Sequence, residues 1–241
     1  MKVTEILRNK IKKFPKGFIF TYDEFGIDAE NESAFKKAVS RLVKSGAIER
    51  LSKGRFYKPK KGIINNLRPD EYEIVKDLLF ENQNPIGYIT GLGIFNRLGL
   101  TTQMSNIIQI GANFDKKQLQ RGKYTIKFIR QRNTITQDNI YFLQLLDSIR
   151  FIKNIPDSTV NQSYDRLVFL IGELPLNEIN TFTNLALKYP PSVRSLTGAI
   201  LEKLGYNNRS DRLLNSLRAT TNFNIEISDK QVKEKQKWKI Q

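Results

Sequence analysis

The chain has neither cysteine nor histidine. Without cysteine there are no disulfides, thiolate metal sites or sulfur nucleophiles, a usage that fits a reducing cytoplasm. Without histidine, Ser-His-Asp and Cys-His catalysis are excluded, and so are most zinc sites. An enzyme built from this sequence would have to work with carboxylates, lysines or Mg²⁺. Nothing matches the ~18 consecutive apolar residues of a membrane helix. The start, Met1–Lys10, lacks the apolar core and small-residue cleavage site of a secretory leader, so a cytoplasmic protein is expected. Gly91 and Gly93 have no third glycine at position 96, and no phosphate-loop lysine follows, so a nucleotide-binding loop is also missing. Neither a metal nor a cofactor is expected.

Positive charge is abundant. Lys and Arg number 40 against 24 Asp and Glu, a net +16 that favours a polyanionic partner. Its distribution says more than its sum: residues 1–62 carry +9 and residues 63–241 carry +7. A lysine-rich genome would raise the total without concentrating it at one end. The length, 241 residues, suits one large domain or two small ones.

The concentration centres on 31–61, NESAFKKAVSRLVKSGAIERLSKGRFYKPKK. Phe35, Ala38, Val39, Leu42 and Val43 recur at helical spacing and predict one buried stripe. Lys36, Lys37, Ser40, Arg41 and Lys44 share the opposite face, with no acidic residue between Ser33 and Ile48 to compensate them. Gly46 ends the helix. Ile48–Leu51 and Arg55–Lys58 read as strands joined by Ser52-Lys53-Gly54, a hairpin with glycine in the left-handed position.

Upstream, Val3–Lys13 is helical, Phe18–Phe20 is a short strand, and Thr21 to Glu24 is a capping box that opens a brief helix ending near Gly26. The loop 27–30 leads into the basic helix. This order is that of a winged helix-turn-helix, with recognition helix followed by wing. The helix residues Lys36, Lys37, Ser40, Arg41 and Lys44 are expected to meet bases and phosphates, Arg41 being suited to guanine edges. Lys53, Arg55 and Lys58, with Lys60 and Lys61 behind them, are expected to meet phosphate or the minor groove. Phe56 and Tyr57 are assigned to the core.

A connector over 60–68 precedes a helix from Pro69 to about Phe80. Asp70, Glu71 and Glu73 at its start complement the helix dipole. In 87–103, GYITGLGIFNRLGLTTQ, Thr90 is expected to cap a short helix that Gly99 closes. Strands at 107–110 and 124–129 follow. Between Asp115 and Arg132 lies a second basic cluster, Lys116, Lys117, Arg121, Lys123, Lys127, Arg130 and Arg132, a further DNA contact or a dock for an acidic partner. Helices are expected at 137–153, 162–171, 174–188, 192–204 and 210–218, and a last strand at 222–227. Residues 229–241 read as a basic tail, solvated and mobile.

The basic N-terminal unit, the run YITG…NRLGLTTQ with its two strands, and SVRSLTGAILEKLG at 192–205 together resemble AbiEi-type antitoxins of bacterial type IV toxin–antitoxin and abortive-infection (phage defence) systems. The resemblance touches the first 60 residues, 86–130 and, more loosely, 190–205. It implies a winged helix that binds inverted repeats in double-stranded DNA of its own promoter and acts as a transcriptional repressor. It further implies a second domain that counters a nucleotidyltransferase-like toxin without requiring a stable complex. The expected fold class is thus α+β: a winged helix-turn-helix over 1–62, a mainly helical α+β antitoxin domain over 63–228, and the tail. Two alternatives stand beside it: a stand-alone regulator with a ligand- or partner-sensing second domain, and a Mg²⁺ nuclease using Asp70, Glu71 or Glu73.

Overall fold

A computed structural model describes residues 3–26, 31–62, 66, 67 and 69–241. The loop expected at 27–30 and connector residues 63–65 and 68 lie outside the described residues. The chain is a mixed α+β protein that divides into two units. The first comprises Met1–Asp77 with Gln120–Tyr124, and the second Leu78–Leu119 with Thr125–Gln241. Residue 62, expected as the boundary, therefore lies inside the first unit.

Aromatic side chains build the core of the first unit. Helix α1 (Val3–Lys13) contributes Leu7 and Ile11, and α2 (Glu32–Lys44) contributes Phe35, Ala38, Val39 and Leu42. Against them pack Phe20 of β1 (Ile19–Phe20), Phe25 of a 3-10 turn (Asp23–Phe25), Ile48, and Phe56. Phe20 and Phe25 meet edge to face at 5.6 Å, a geometry that favours ring pairs beyond their burial. Only half of the expected capping box forms: the Thr21 amide and hydroxyl both donate to Glu24, at 2.6 and 2.7 Å, but Tyr22 takes the N-cap position and no side chain caps the turn. The turn that it opens is a single 3-10 turn and not a full helix. Strands β2 (Glu49–Ser52) and β3 (Arg55–Tyr57) join β1 in an antiparallel sheet ordered β1-β3-β2. Gly54 has φ +73°, the left-handed conformation that this tight turn needs. Strands β4 (Lys60–Lys61) and β5 (Asn66–Leu67) pair, and α3 (Glu71–Leu79) follows.

In the second unit a hairpin of β6 (Phe80–Glu81) and β7 (Asn84–Pro85) turns on Asn82 and Gln83, both at positive φ. Then come β8 (Gly87–Thr90), α4 (Leu92–Arg97), β9 (Ile107–Ala112) and, after β10 (Leu119–Arg121), whose last two residues belong to the first unit, β11 (Tyr124–Arg130); within the unit the strands are ordered β11-β9-β8. Strands β8 and β9 run antiparallel, β9 and β11 parallel. Thr90 does not cap α4 as expected: it is buried at the end of β8, and Gly91 takes the N-cap position at φ +76°. Five helices complete the unit: α5 (Ile140–Arg150), α6 (Val160–Gly172), α7 (Leu176–Ala186), α8 (Pro191–Lys203) and α9 (Asn207–Asn215). Helix α8 is buried from Ser195 to Leu201.

A closed ring of hydrogen bonds sits inside this unit. Gln131 donates through its side-chain nitrogen to the Tyr88 and Tyr189 hydroxyls, both at 2.8 Å. Each tyrosine in turn donates to Asp147, at 2.7 and 3.0 Å. Tyr88 reaches Asp147 because its cross-strand partner is Gly111; a Cβ there would lie 2.4 Å from the tyrosine ring. Burial raises the Asp147 carboxyl above its ordinary 3.8, against the hydrogen bonds that lower it.

Residues 222–241 differ from expectation. The strand expected at 222–227 is absent among the described residues; a single parallel bridge joins Phe223 to Ile240. The tail is anchored, although Asp229, Lys230, Lys233, Glu234, Gln236 and Gln241 stay exposed. Val232, Trp238 and Ile240 are buried, and Trp238 packs on Gly198, where a Cβ would fall 2.0 Å from its ring. The indole donates to Glu202 at 2.7 Å, and Ser195 donates to the Trp238 carbonyl. Five lysines mask this pattern in the sequence, but three apolar side chains suffice to dock the segment.

Two predictions follow from this core. Trp238→Ala is expected to cost about 3–5 kcal/mol in chemical denaturation; a loss below ~1 kcal/mol would show the tail to be undocked. Because the folded-state pKa of Asp147 lies above its unfolded value, the folded protein holds a proton that the unfolded chain releases. Its contribution therefore falls as pH rises from about 4 through the folded value. Asp147→Asn should gain stability relative to wild type between pH 4 and pH 7; a pH-independent difference refutes the shift.

Candidate nucleic-acid interface

The buried stripe of α2 turns the other side of the helix to solvent. Lys36, Lys37, Ser40, Arg41 and Lys44 are all exposed, as the 3.6-residue period demands. The expected lack of compensation holds for only part of the face. Glu32, one turn earlier, forms an ion pair with Lys36, and its hydrogen bond raises the lysine pKa. Among the described residues, Lys37, Arg41 and Lys44 form no ion pair.

The hairpin cations divide more sharply. Lys53 stands exposed in the turn, without an ion pair among the described residues. Arg55 instead reaches Asp77 at 2.8 Å. Lys58 donates to the carbonyls of Lys12 and Phe14 at 2.9 and 3.0 Å, satisfying the end of α1, so it is not free for DNA. Arg50, which the sequence reading passed over, is exposed on β2; the alternation that buries Leu51 was the signal. Lys60 and Lys61 are exposed on β4.

Asp77 also pairs with Arg121, through contacts of 2.5 and 2.7 Å to both carboxylate oxygens, and Arg121 donates further to the Ile74 carbonyl. The Arg121 side chain is only 6% exposed. Burial opposes ionisation of Asp77, but the Arg121 hydrogen bonds, with Arg121 and Arg55 charges beside them, hold its pKa below 3.8. Arg121 therefore leaves the second basic cluster. The remainder is divided: Lys123 belongs to the first unit, while Lys116, Lys117, Arg130 and Arg132 belong to the second. Arg130 pairs with exposed Asp115 at 3.4 Å, and Lys116 lies 5.8 Å from the Phe128 ring centre.

Two of the carboxylates at the start of α3 have structural partners. Asp70 accepts from the Tyr72 amide at 2.8 Å, and Glu73 accepts from the Ile19 amide at 3.0 Å and from Lys76 at 2.9 Å. Among the described residues no group of three or more carboxylates is placed to hold a metal ion, and no helix is long and apolar enough to cross a membrane.

The chain belongs to a family of unknown function, DUF6088, whose model matches residues 6–170. No curated protein matches it. It is similar to the crystal structure of the RV2827C protein from Mycobacterium tuberculosis, at 15% identity and a TM-score of 0.57. That likeness covers 91% of this chain and 81% of the other, and it is one of fold.

Free and committed cations should separate by stability. Arg41→Ala is expected to change it by less than ~0.5 kcal/mol. Arg121→Ala, which removes the bidentate partner of half-exposed Asp77 and leaves it only Arg55 among these pairs, should cost about 1–3 kcal/mol. Equal losses in urea denaturation would contradict the division.

Proposed function

We propose that the protein is a DNA-binding antitoxin that represses its own operon, and that the first unit is a winged helix. The observation that carries the reading is the α2 face, where Lys37, Ser40, Arg41 and Lys44 stand exposed. The three cations on it form no ion pair among the described residues. Beside this face, the β2–β3 hairpin would serve as the wing. The order α1, β1, 3-10 turn, α2, β2, β3 and the sheet order β1-β3-β2 support it.

Exposed lysines at helical spacing suit a phosphate track, and an arginine between them can address the edge of a guanine through two parallel hydrogen bonds. Arg50 and Lys53 add charge on the hairpin, where a wing meets the backbone. Arg55, Lys58 and Arg121 act in this reading as scaffold. The antitoxin half rests on the resemblance to AbiEi-type proteins at YITG…NRLGLTTQ and 192–205, and a cytoplasmic location goes with it. The target would be a nucleotidyltransferase-like toxin encoded next to it.

Two experiments test the two halves. Arg41→Ala should lower the preference for the upstream operator over scrambled DNA by about 1–3 kcal/mol; an unchanged preference removes Arg41 from base recognition. Co-expression with the downstream reading frame should relieve growth arrest caused by that frame alone. A harmless neighbour would end the antitoxin reading and leave a plain regulator.

A further inference from the structure

A depression of about 680 Å³ opens at the start of α8, within the second unit. Arg132, Lys188, Arg194 and Arg218 line it, together with Pro190 and Pro191, and none of its lining residues is acidic. A smaller hollow of about 130 Å³ shares Arg132, Lys188, Tyr189 and Pro190 and adds Arg130 and Arg150. Among the described residues, Arg132, Lys188 and Arg218 form no ion pair. Arg194 is held in place: one of its terminal nitrogens donates to the Ser216 carbonyl at 2.8 Å, while its buried Nε has no partner among the described residues. Arg130 is paired with Asp115, which lines neither hollow.

We propose that this depression binds a small molecule bearing an oligophosphate chain, such as a nucleoside triphosphate. Six cations across two joined hollows exceed what a single phosphate group can engage. The first turn of the 13-residue α8 lies at the rim, where its dipole adds positive potential. The volume falls within the ~300–1,000 Å³ of small-molecule sites, whereas a duplex backbone would need a continuous open track. Arg194, fixed through Ser216, presents a pre-set guanidinium, and exposed Lys188 and Arg218 can close on the charge. The Pro190-Pro191 wall offers an apolar face to the organic part of the ligand. The site is separate from α2 and stands whether or not the first unit binds DNA.

The test is calorimetric titration of the full chain with ATP, with inorganic tripolyphosphate, and with a single-stranded oligonucleotide. Binding of ATP or tripolyphosphate supports the site, and a tighter ATP arm identifies the nucleotide as the source of the phosphates. Lys188→Gln combined with Arg218→Gln should weaken that binding at least ~10-fold while leaving the thermal midpoint unchanged. Lys37→Ala combined with Arg41→Ala should leave it intact. Three outcomes would overturn the proposal: no heat with either small ligand, unchanged affinity in the Lys188/Arg218 variant, or binding of the oligonucleotide alone.

Discussion

Asp77 accepts Arg55 from the hairpin and Arg121 from the 120–124 segment, and on this one carboxylate the arrangement of the first unit depends. Two arginines on one acid cancel charge that would otherwise repel, and the bidentate contact to Arg121 gives the pair a fixed geometry. Lys58 does comparable work at the end of α1, where two carbonyls would lack donors. These commitments leave Lys37, Arg41 and Lys44 on the outer face of α2, with Arg50 and Lys53 on the hairpin, exposed and without ion pairs among the described residues. The candidates are thereby narrowed by subtraction: the unit holds more basic side chains than remain available to a partner.

The second unit is ordered by a different device. The Asp147–Tyr88–Gln131–Tyr189 ring places a carboxyl in the interior and satisfies it with two hydroxyl donors, so the polar groups specify one packing at a cost in desolvation. Gly111 beneath the Tyr88 ring makes this arrangement possible, and Gly198 does the same for the docking of Trp238. Tyr189 links this interior to the surface, since it also lines the basic hollows at the start of α8.

Much of this was legible in the sequence where a local rule operated. The period of Phe35, Ala38, Val39 and Leu42 placed both the buried and the exposed faces of α2, and Gly46 and Gly54 marked its end and the hairpin turn. The contact of Thr21 with Glu24 was likewise readable, although Thr21 does not cap the element and the helix shrank to one 3-10 turn. The β6–β7 hairpin was missed because Asn82-Gln83 adopts left-handed geometry without the glycine that normally signals it. Arg121 was misassigned because its partner, Asp77, lies 44 residues away, and charge patterning sees only neighbours. The tail was misread for the same reason: Trp238 owes its burial to Gly198, not to its own segment. The basic depression at α8 gathers cations from separate stretches, and no window along the chain contains them together.

The account turns on whether the exposed α2 face meets DNA, and the most direct measurement is the affinity of the full chain for the DNA upstream of its own reading frame across a range of salt concentrations. The account predicts tight binding whose logarithm falls linearly with the logarithm of salt, and a slope reduced by about 1 for each of Lys37→Ala and Lys44→Ala. Binding that ignores salt, or a slope that neither substitution moves, would contradict it.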